Sequence, residues 1–168
     1  MSERRLLPVL LIIALLTVVG GVAANSGDDD DREFKAKLSG TNEVPNPVNT
    51  NATGRAEFEV NSDETKIKFE LTIRNATNIL GAAGAHIHCA PAGTNGPVVA
   101  FLAAEVFGGF DGKVSIEATL TDANVIAGSS CGATIAALVQ SMMDGNTYVN
   151  AHSPAFPGGE IRGQIEGD

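Results

Sequence analysis

The residues of this chain best suited to carry chemistry are its three histidines, His86, His88 and His152. A single residue separates His86 from His88, so on a β-strand both imidazoles point to one face while Ile87 points to the core. His152 ends the segment 148–152, in which residues 148, 150 and 152 share the face opposite to residues 149 and 151. If these two strands are neighbours, the three imidazoles converge.

Three converging neutral imidazoles form a donor set that suits copper, with zinc as the alternative. Protons compete with the metal, so such a site loses its ion as the pH falls through the histidine range near about 6.5. The other interpretation is an uncharged polar patch, in which histidine hydrogen bonds hold the glycine-rich loops in place. The histidine spacing leaves both open.

A second group of polar residues follows near the C-terminus. Glu160, Arg162 and Gln164 alternate with apolar residues and glycine, which predicts a strand with a water-exposed face. Glu160 is a candidate fourth metal ligand, or a hydrogen-bond partner of a ligand. The alternative is a structural ion pair between Glu160 and Arg162, or a role in bracing the histidine loop.

The elements that must position these residues are mostly strands. Period-two alternation of apolar and polar residues recurs along the chain, separated by glycine- and proline-rich joints. One stretch, 134–143, instead has apolar residues at spacings of three and four and predicts a short helix that Asp144-Gly145 ends. Because helices do not alternate with strands, a doubly wound parallel fold is excluded. We predict an all-β, Greek-key β-sandwich with one short helix. The strand predictions outside the histidine segment lie at 34–39, 55–60, 66–73, 98–102, 114–120, 147–151 and 161–165.

Composition limits the classes of function. The 168 residues are enough for one domain, and a hydrophobic fraction of 43% supports a buried core. The net charge of −9 and the isoelectric point near 4.7 argue against nucleic acid as a partner, because binding phosphates requires a basic face. No catalytic residue stands out, so an enzyme is the less favoured class.

The N-terminal part of the sequence indicates export. Residues 1–24 combine two arginines with a long uncharged apolar run, which predicts a signal peptide or an uncleaved N-terminal membrane anchor. Residues 25–32 form an acidic linker, and 33–168 form the domain, which is expected outside the cell or at its surface. Membrane contact is expected only through the N-terminal segment, if it stays uncleaved. Asn51 and Asn75 each begin an Asn-X-Thr glycosylation motif.

Six short motifs occur along the domain, at 38–45 (LSGTNEVP), 52–56 (ATGRA), 84–88 (GAHIH), 93–99 (GTNGPVV), 145–153 (GNTYVNAHS) and 157–165 (PGGEIRGQI). In these motifs the domain resembles the CHRD (chordin-type) family, in the single-domain form of microbial exported proteins. This resemblance implies an extracellular β-sandwich whose partner is an unknown extracellular protein or surface component. In chordin, such repeats belong to a secreted antagonist of growth-factor signalling. The family provides no established catalytic residue.

A weaker resemblance connects the histidine strand to copper–zinc superoxide dismutase, a Greek-key sandwich with a His-X-His copper strand. Only His86 and His88 match that pattern, and the further zinc ligands have no counterpart here. A copper redox enzyme is therefore the second hypothesis. The third is a metal-free adhesion domain that binds partners along an edge strand or a loop.

Cys89 departs from the CHRD pattern, in which glycine commonly follows the His-X-His step. Cys131 is the only other cysteine, and an even number in an exported chain favours one disulfide. Closing that loop would stabilise the fold by roughly 4 kcal/mol in the chain-entropy model. The alternative is a Cys89 thiolate ligand in a blue-copper-like set with Met142 or Met143 nearby, although Cys89 points to the strand face opposite the two histidines.

Overall fold

The structure, a computed structural model, describes residues 32–168. The predicted leader 1–24 lies outside this range, as does the predicted linker except for its last residue. The described chain forms eight strands, one α-helix and two short 3₁₀ turns. The elements are β1 (Arg32–Ser39), β2 (Thr53–Val60), β3 (Ile67–Ile79), β4 (Ala85–Cys89), β5 (Val98–Ala103), β6 (Phe110–Leu120), α1 (Ile135–Met143), β7 (Thr147–Ser153) and β8 (Phe156–Gly167), with 3₁₀ turns at Gly40–Asn42 and Asp122–Asn124.

All eight strands belong to one antiparallel sheet with the order β5-β4-β7-β8-β1-β2-β3-β6. The chain crosses between the two halves of the sheet three times, from β3 to β4, from β5 to β6 and, through α1, from β6 to β7. The sheet nearly closes, because the segment after β6 bridges to β5 through Ala100 and Val125, and the Ile126 N–H donates to the Val99 carbonyl at 2.8 Å. The prediction of an all-β, sandwich-type fold with one short helix is confirmed.

The predicted alternation fills the core. Phe34, Ala36 and Leu38 of β1 are buried, and Ile135 and Leu138 of α1 are fully buried against the same apolar cluster. Removing a side chain of this size from water is worth about 1.5–3 kcal/mol. These contacts hold the sheet in its curved form.

The helix begins where the sequence predicts. The hydroxyl of Thr134 accepts a hydrogen bond from the Ala137 N–H at 3.3 Å, and an Asp122 carboxylate oxygen accepts one from the Ile135 N–H at 2.7 Å. Both bonds satisfy amides that lack a partner in the first helical turn. Gly145, with a φ of 69°, follows the helix in the left-handed conformation.

The predicted water-exposed face of the last strand is wrong for Glu160 and Arg162, which are both buried. All seven residues of β7 are buried as well, including those on the polar side. Two loops, residues 40–52 and 90–97, cover this side. Asn42 of the first loop donates to the Arg162 carbonyl at 3.0 Å, and Asn95 of the second accepts from the Arg162 guanidinium at 2.8 Å. The outer face of β4, β7 and β8 is therefore a mostly buried polar layer, in which His88 and Gln164 are partly exposed.

The two glycosylation motifs are accessible, since Asn51 and Asn75 are both exposed. Asn75 lies in β3 with a φ of 54°, close to a register shift against β6. Within residues 32–168, no helix is both long and apolar enough to cross a membrane.

Candidate metal centre

The pairing of β4 with β7 brings the three histidines together. His86 pairs with Asn150 and His88 with Tyr148, while the His152 N–H donates to the Gly84 carbonyl at 3.0 Å beyond the paired region. One ligand nitrogen from each histidine lies within 4.8 Å of the other two. The convergence predicted from the histidine spacing is observed.

Backbone carbonyls fix two of the rings. His88 Nδ1 lies 2.9 Å from the Gly96 carbonyl oxygen, and His152 Nδ1 lies 3.0 Å from the Pro157 carbonyl oxygen. A carbonyl only accepts, so each Nδ1 carries the proton and each Nε2 keeps its lone pair. These two Nε2 atoms and His86 Nδ1 are buried, and none has a hydrogen-bond partner among the described residues.

Burial keeps the three rings neutral. It lowers the pKa of His86 to about 4, and the nearby His152 and His88 add to this effect because positive charges on neighbouring rings repel. Burial also lowers the pKa values of His88 and His152, which their backbone hydrogen bonds partly counteract. At neutral pH the lone pairs are therefore free for a metal ion.

Tyr148 supports His88 from one side. Its ring stacks on the imidazole with a centroid distance of 4.8 Å and an angle of 10° between the ring planes. The Tyr148 hydroxyl also accepts a hydrogen bond from the Gly96 N–H at 3.3 Å, and the carbonyl of this same glycine receives the His88 proton. On the other face of Tyr148, the Arg162 guanidinium carbon lies 3.4 Å from the ring centroid.

Arg162 braces the loop that holds His88. Its guanidinium donates to the Asn95 side-chain oxygen at 2.8 Å and to the Thr94 carbonyl at 2.7 Å. The alternative prediction of a Glu160–Arg162 ion pair is wrong within the described part of the chain, because Arg162 turns to this loop. Glu160 instead accepts from the Thr50 hydroxyl at 2.7 Å, and it lies outside the group of three histidines.

One buried acid near the site was not predicted from the sequence. Glu43 accepts a hydrogen bond from the Asn150 side-chain amide at 3.3 Å, and its other carboxyl oxygen has no partner among residues 32–168. Burial raises the pKa of Glu43 to about 7, against the lowering effects of Asn150 and Arg162. Its place in the motif at 38–45 was the only sequence signal that could have identified it.

A disulfide joins Cys89, at the end of β4, to Cys131, in the loop before α1. The two Cα atoms lie 5.8 Å apart, which is the usual separation for this bond. Cys89 therefore provides no thiolate, and the alternative of a blue-copper-like cysteine ligand is wrong. A structural disulfide fits a protein that works in an oxidising compartment.

Comparison with protein families, but not with individual proteins, finds a match for this chain. No curated protein and no solved structure matches the chain. A family model described as the CHRD domain matches residues 34–165, which spans all of the polar layer and the three histidines. The match covers most of the sequence, and the chain therefore belongs to the CHRD domain family.

Proposed function

We propose that this protein is an exported CHRD-type binding module that holds one copper or zinc ion at His86, His88 and His152. The observation that supports it is the histidine cluster: each histidine offers a ring nitrogen within 4.8 Å of the other two, and one buried ring nitrogen of each has no hydrogen-bond partner among residues 32–168. A purely structural role explains the two Nδ1 bonds to the loops, but it leaves these three nitrogens unused. Leaving buried polar atoms unpaired costs about 1–3 kcal/mol each, whereas a metal ion uses all three.

The donor set is consistent with either metal. Three imidazole nitrogens hold a four-coordinate ion and leave one position for water or another small ligand. With bonds of about 2.0–2.1 Å, the nitrogens must approach to roughly 3.3 Å, which requires each ring to move by no more than about 1 Å. Copper is the first choice, because divalent copper binds nitrogen sites more tightly than zinc.

The lowered histidine pKa values predict how the site responds to acid. Protons compete for the same lone pairs as the metal, and burial weakens that competition for all three rings. We therefore expect the protein to keep its ion below pH 6.5, where an exposed three-histidine site already loses it. His86, with a pKa of about 4, is expected to be protonated only in stronger acid.

Metal analysis and copper titration of the purified protein test the proposal. We expect the wild type to take up one ion per chain, and His86→Ala/His88→Ala to take up none. Ser153→Ala is the matched control, because it truncates a buried residue beside His152 without removing a ring nitrogen. Equal, negligible uptake by all three proteins would contradict the proposal.

Two further measurements test the other two hypotheses, which stay predictions. The redox hypothesis requires the copper-loaded protein to remove superoxide faster than free copper does. Adhesion without metal requires partner binding that is equal in wild type and His86→Ala/His88→Ala. If partner binding is lost in this variant, adhesion depends on the metal site, and the third hypothesis merges with the first.

A further inference from the structure

One largely exposed aromatic side chain lies against His86, a buried member of the histidine cluster. Phe101 lies on β5, the edge strand that pairs with β4, and is opposite His86 in the register. Its ring meets the His86 ring edge to face, with a centroid distance of 4.8 Å and an angle of 86°. Phe101 is 54% exposed, whereas His86 is only 4% exposed.

The other contacts of the cluster involve groups that move less readily. His88 is covered by the Tyr148 ring, which is itself 2% exposed, and by the Gly96 carbonyl. His152 is held by the Pro157 carbonyl. Moving these groups requires a backbone hydrogen bond to break or a buried ring to leave its packing. Turning an exposed phenylalanine side chain requires neither, and such rotations take picoseconds to nanoseconds.

We propose that Phe101 is the gate of the histidine cluster: its side chain controls the rate at which a metal ion and small ligands pass between solvent and the three ring nitrogens. This inference rests on the proposed function. The apolar ring keeps water from His86 while it lies against it, and it opens the path when it turns outward. A group that only gates the path changes the entry and exit rates by the same factor, so the dissociation constant stays nearly constant.

The gate also predicts which reagents reach a bound ion. Water, small anions and a free metal ion pass beside a turned ring. A bulky chelator cannot touch an ion behind it and must wait for spontaneous release. In wild type, the rate of metal removal by a large chelator is therefore expected to be independent of chelator concentration. In an ungated variant it is expected to rise with that concentration.

The test mixes the copper-loaded full chain with excess EDTA in a stopped-flow instrument and follows the loss of the copper absorbance. We expect Phe101→Ala to release copper several-fold faster than wild type with a nearly constant dissociation constant, because removal of a gate speeds entry and exit by the same factor. Phe101→Leu keeps most of the bulk and is expected to lie between the two. Phe107→Ala is the matched control, since Phe107 is fully exposed and makes no aromatic contact with a histidine.

The outcomes separate the two proposals. If wild type takes up no copper, the proposed function fails and the gate fails with it. If copper binds but Phe101→Ala releases it no faster than Phe107→Ala, the gate alone is overturned. A changed dissociation constant with an unchanged entry rate also overturns it, because Phe101 would then act by packing on His86. Unchanged thermal unfolding of each variant verifies that the fold is intact.

Discussion

Tyr148 contacts His88 by two routes, and single substitutions separate them. The ring stacks on the imidazole, and the hydroxyl accepts from the Gly96 amide, whose carbonyl fixes the His88 tautomer. Tyr148→Phe removes only the hydroxyl, whereas Tyr148→Leu removes both contacts. Loss of a group that orients a ligand weakens metal binding by roughly 10–100-fold, so we expect this loss for Tyr148→Leu and a smaller one for Tyr148→Phe.

Competition titration with a chelator of known affinity measures both dissociation constants. Thermal unfolding of the metal-free variants serves as the control, because Tyr148 is buried and its truncation leaves a cavity. If Tyr148→Leu stays folded and binds copper as tightly as wild type, Tyr148 does not position His88.

At the scale of single residues, the sequence predicted the histidines well and their surroundings poorly. His86, His88 and His152 could be predicted because strand geometry alone decides which face each ring occupies. Glu43 and Phe101 could not, because each reaches the site through a strand pairing or a loop contact across a long sequence separation. No local pattern specifies such contacts.

Among the strands of the described residues, β4 is the shortest and is also held by a covalent bond. It has only five residues, with register shifts against β5, and its last residue is held by the disulfide to Cys131. The bond closes a loop with a sequence separation of 42 residues. Cys89→Ala/Cys131→Ala is expected to lower the free energy of unfolding by about 2–4 kcal/mol.

Urea denaturation at neutral pH measures that difference, with wild type under reducing conditions as a second reference. The histidine strand is also expected to lose order, so copper affinity should fall in the double variant even where it is folded. A variant with wild-type stability and wild-type affinity would show that strand pairing alone holds β4.

The strands and the helix were largely predictable from the sequence, but the loops that cover the sheet were not. Period-two alternation predicted the strands, and the spacing of apolar residues after Thr134 predicted the helix. The same alternation suggested that Glu160 faces water, yet the loops 40–52 and 90–97 cover that side of the sheet. Loop paths follow from turn geometry and from distant partners such as Arg162, so their positions could not be derived from periodicity.

For the whole molecule, the register of β1 places the histidine cluster away from the point where the N-terminal segment joins the domain. Ser39, at the far end of β1, pairs with Arg162, which pairs in turn with Asn150 beside His86. Arg32 starts the same strand seven residues earlier. At about 3.4 Å per residue, this is roughly 24 Å along the strand. A domain tethered through its N-terminal segment would therefore hold the cluster well clear of the attachment point.

The pH dependence of folding combines opposite contributions from the buried layer. In the folded protein the pKa of Glu43 is about 7, whereas its ordinary value is 4.5. Between these two pH values, the Glu43 carboxyl is protonated more often in the folded than in the unfolded chain. Its contribution to the free energy of unfolding is therefore lost as the pH rises through this range. His86, lowered from 6.5 to about 4, contributes stability that is present above 6.5 and lost as the pH falls. Glu43→Gln keeps an acceptor for Asn150 and removes only the first contribution.

We therefore expect metal-free Glu43→Gln to be more stable than wild type at pH 8, by up to about 3 kcal/mol, since the pKa of Glu43 is raised from 4.5 to about 7 and each unit corresponds to about 1.4 kcal/mol. At pH 4, where Glu43 is protonated in folded and unfolded chains alike, the two proteins should be nearly equal. Urea unfolding from pH 4 to 8 measures both limits, with Glu57→Gln on the exterior of β2 as the control. A Glu43→Gln protein that is less stable than wild type at pH 8 would mean that the ionised carboxylate, held by Arg162, stabilises the polar layer instead.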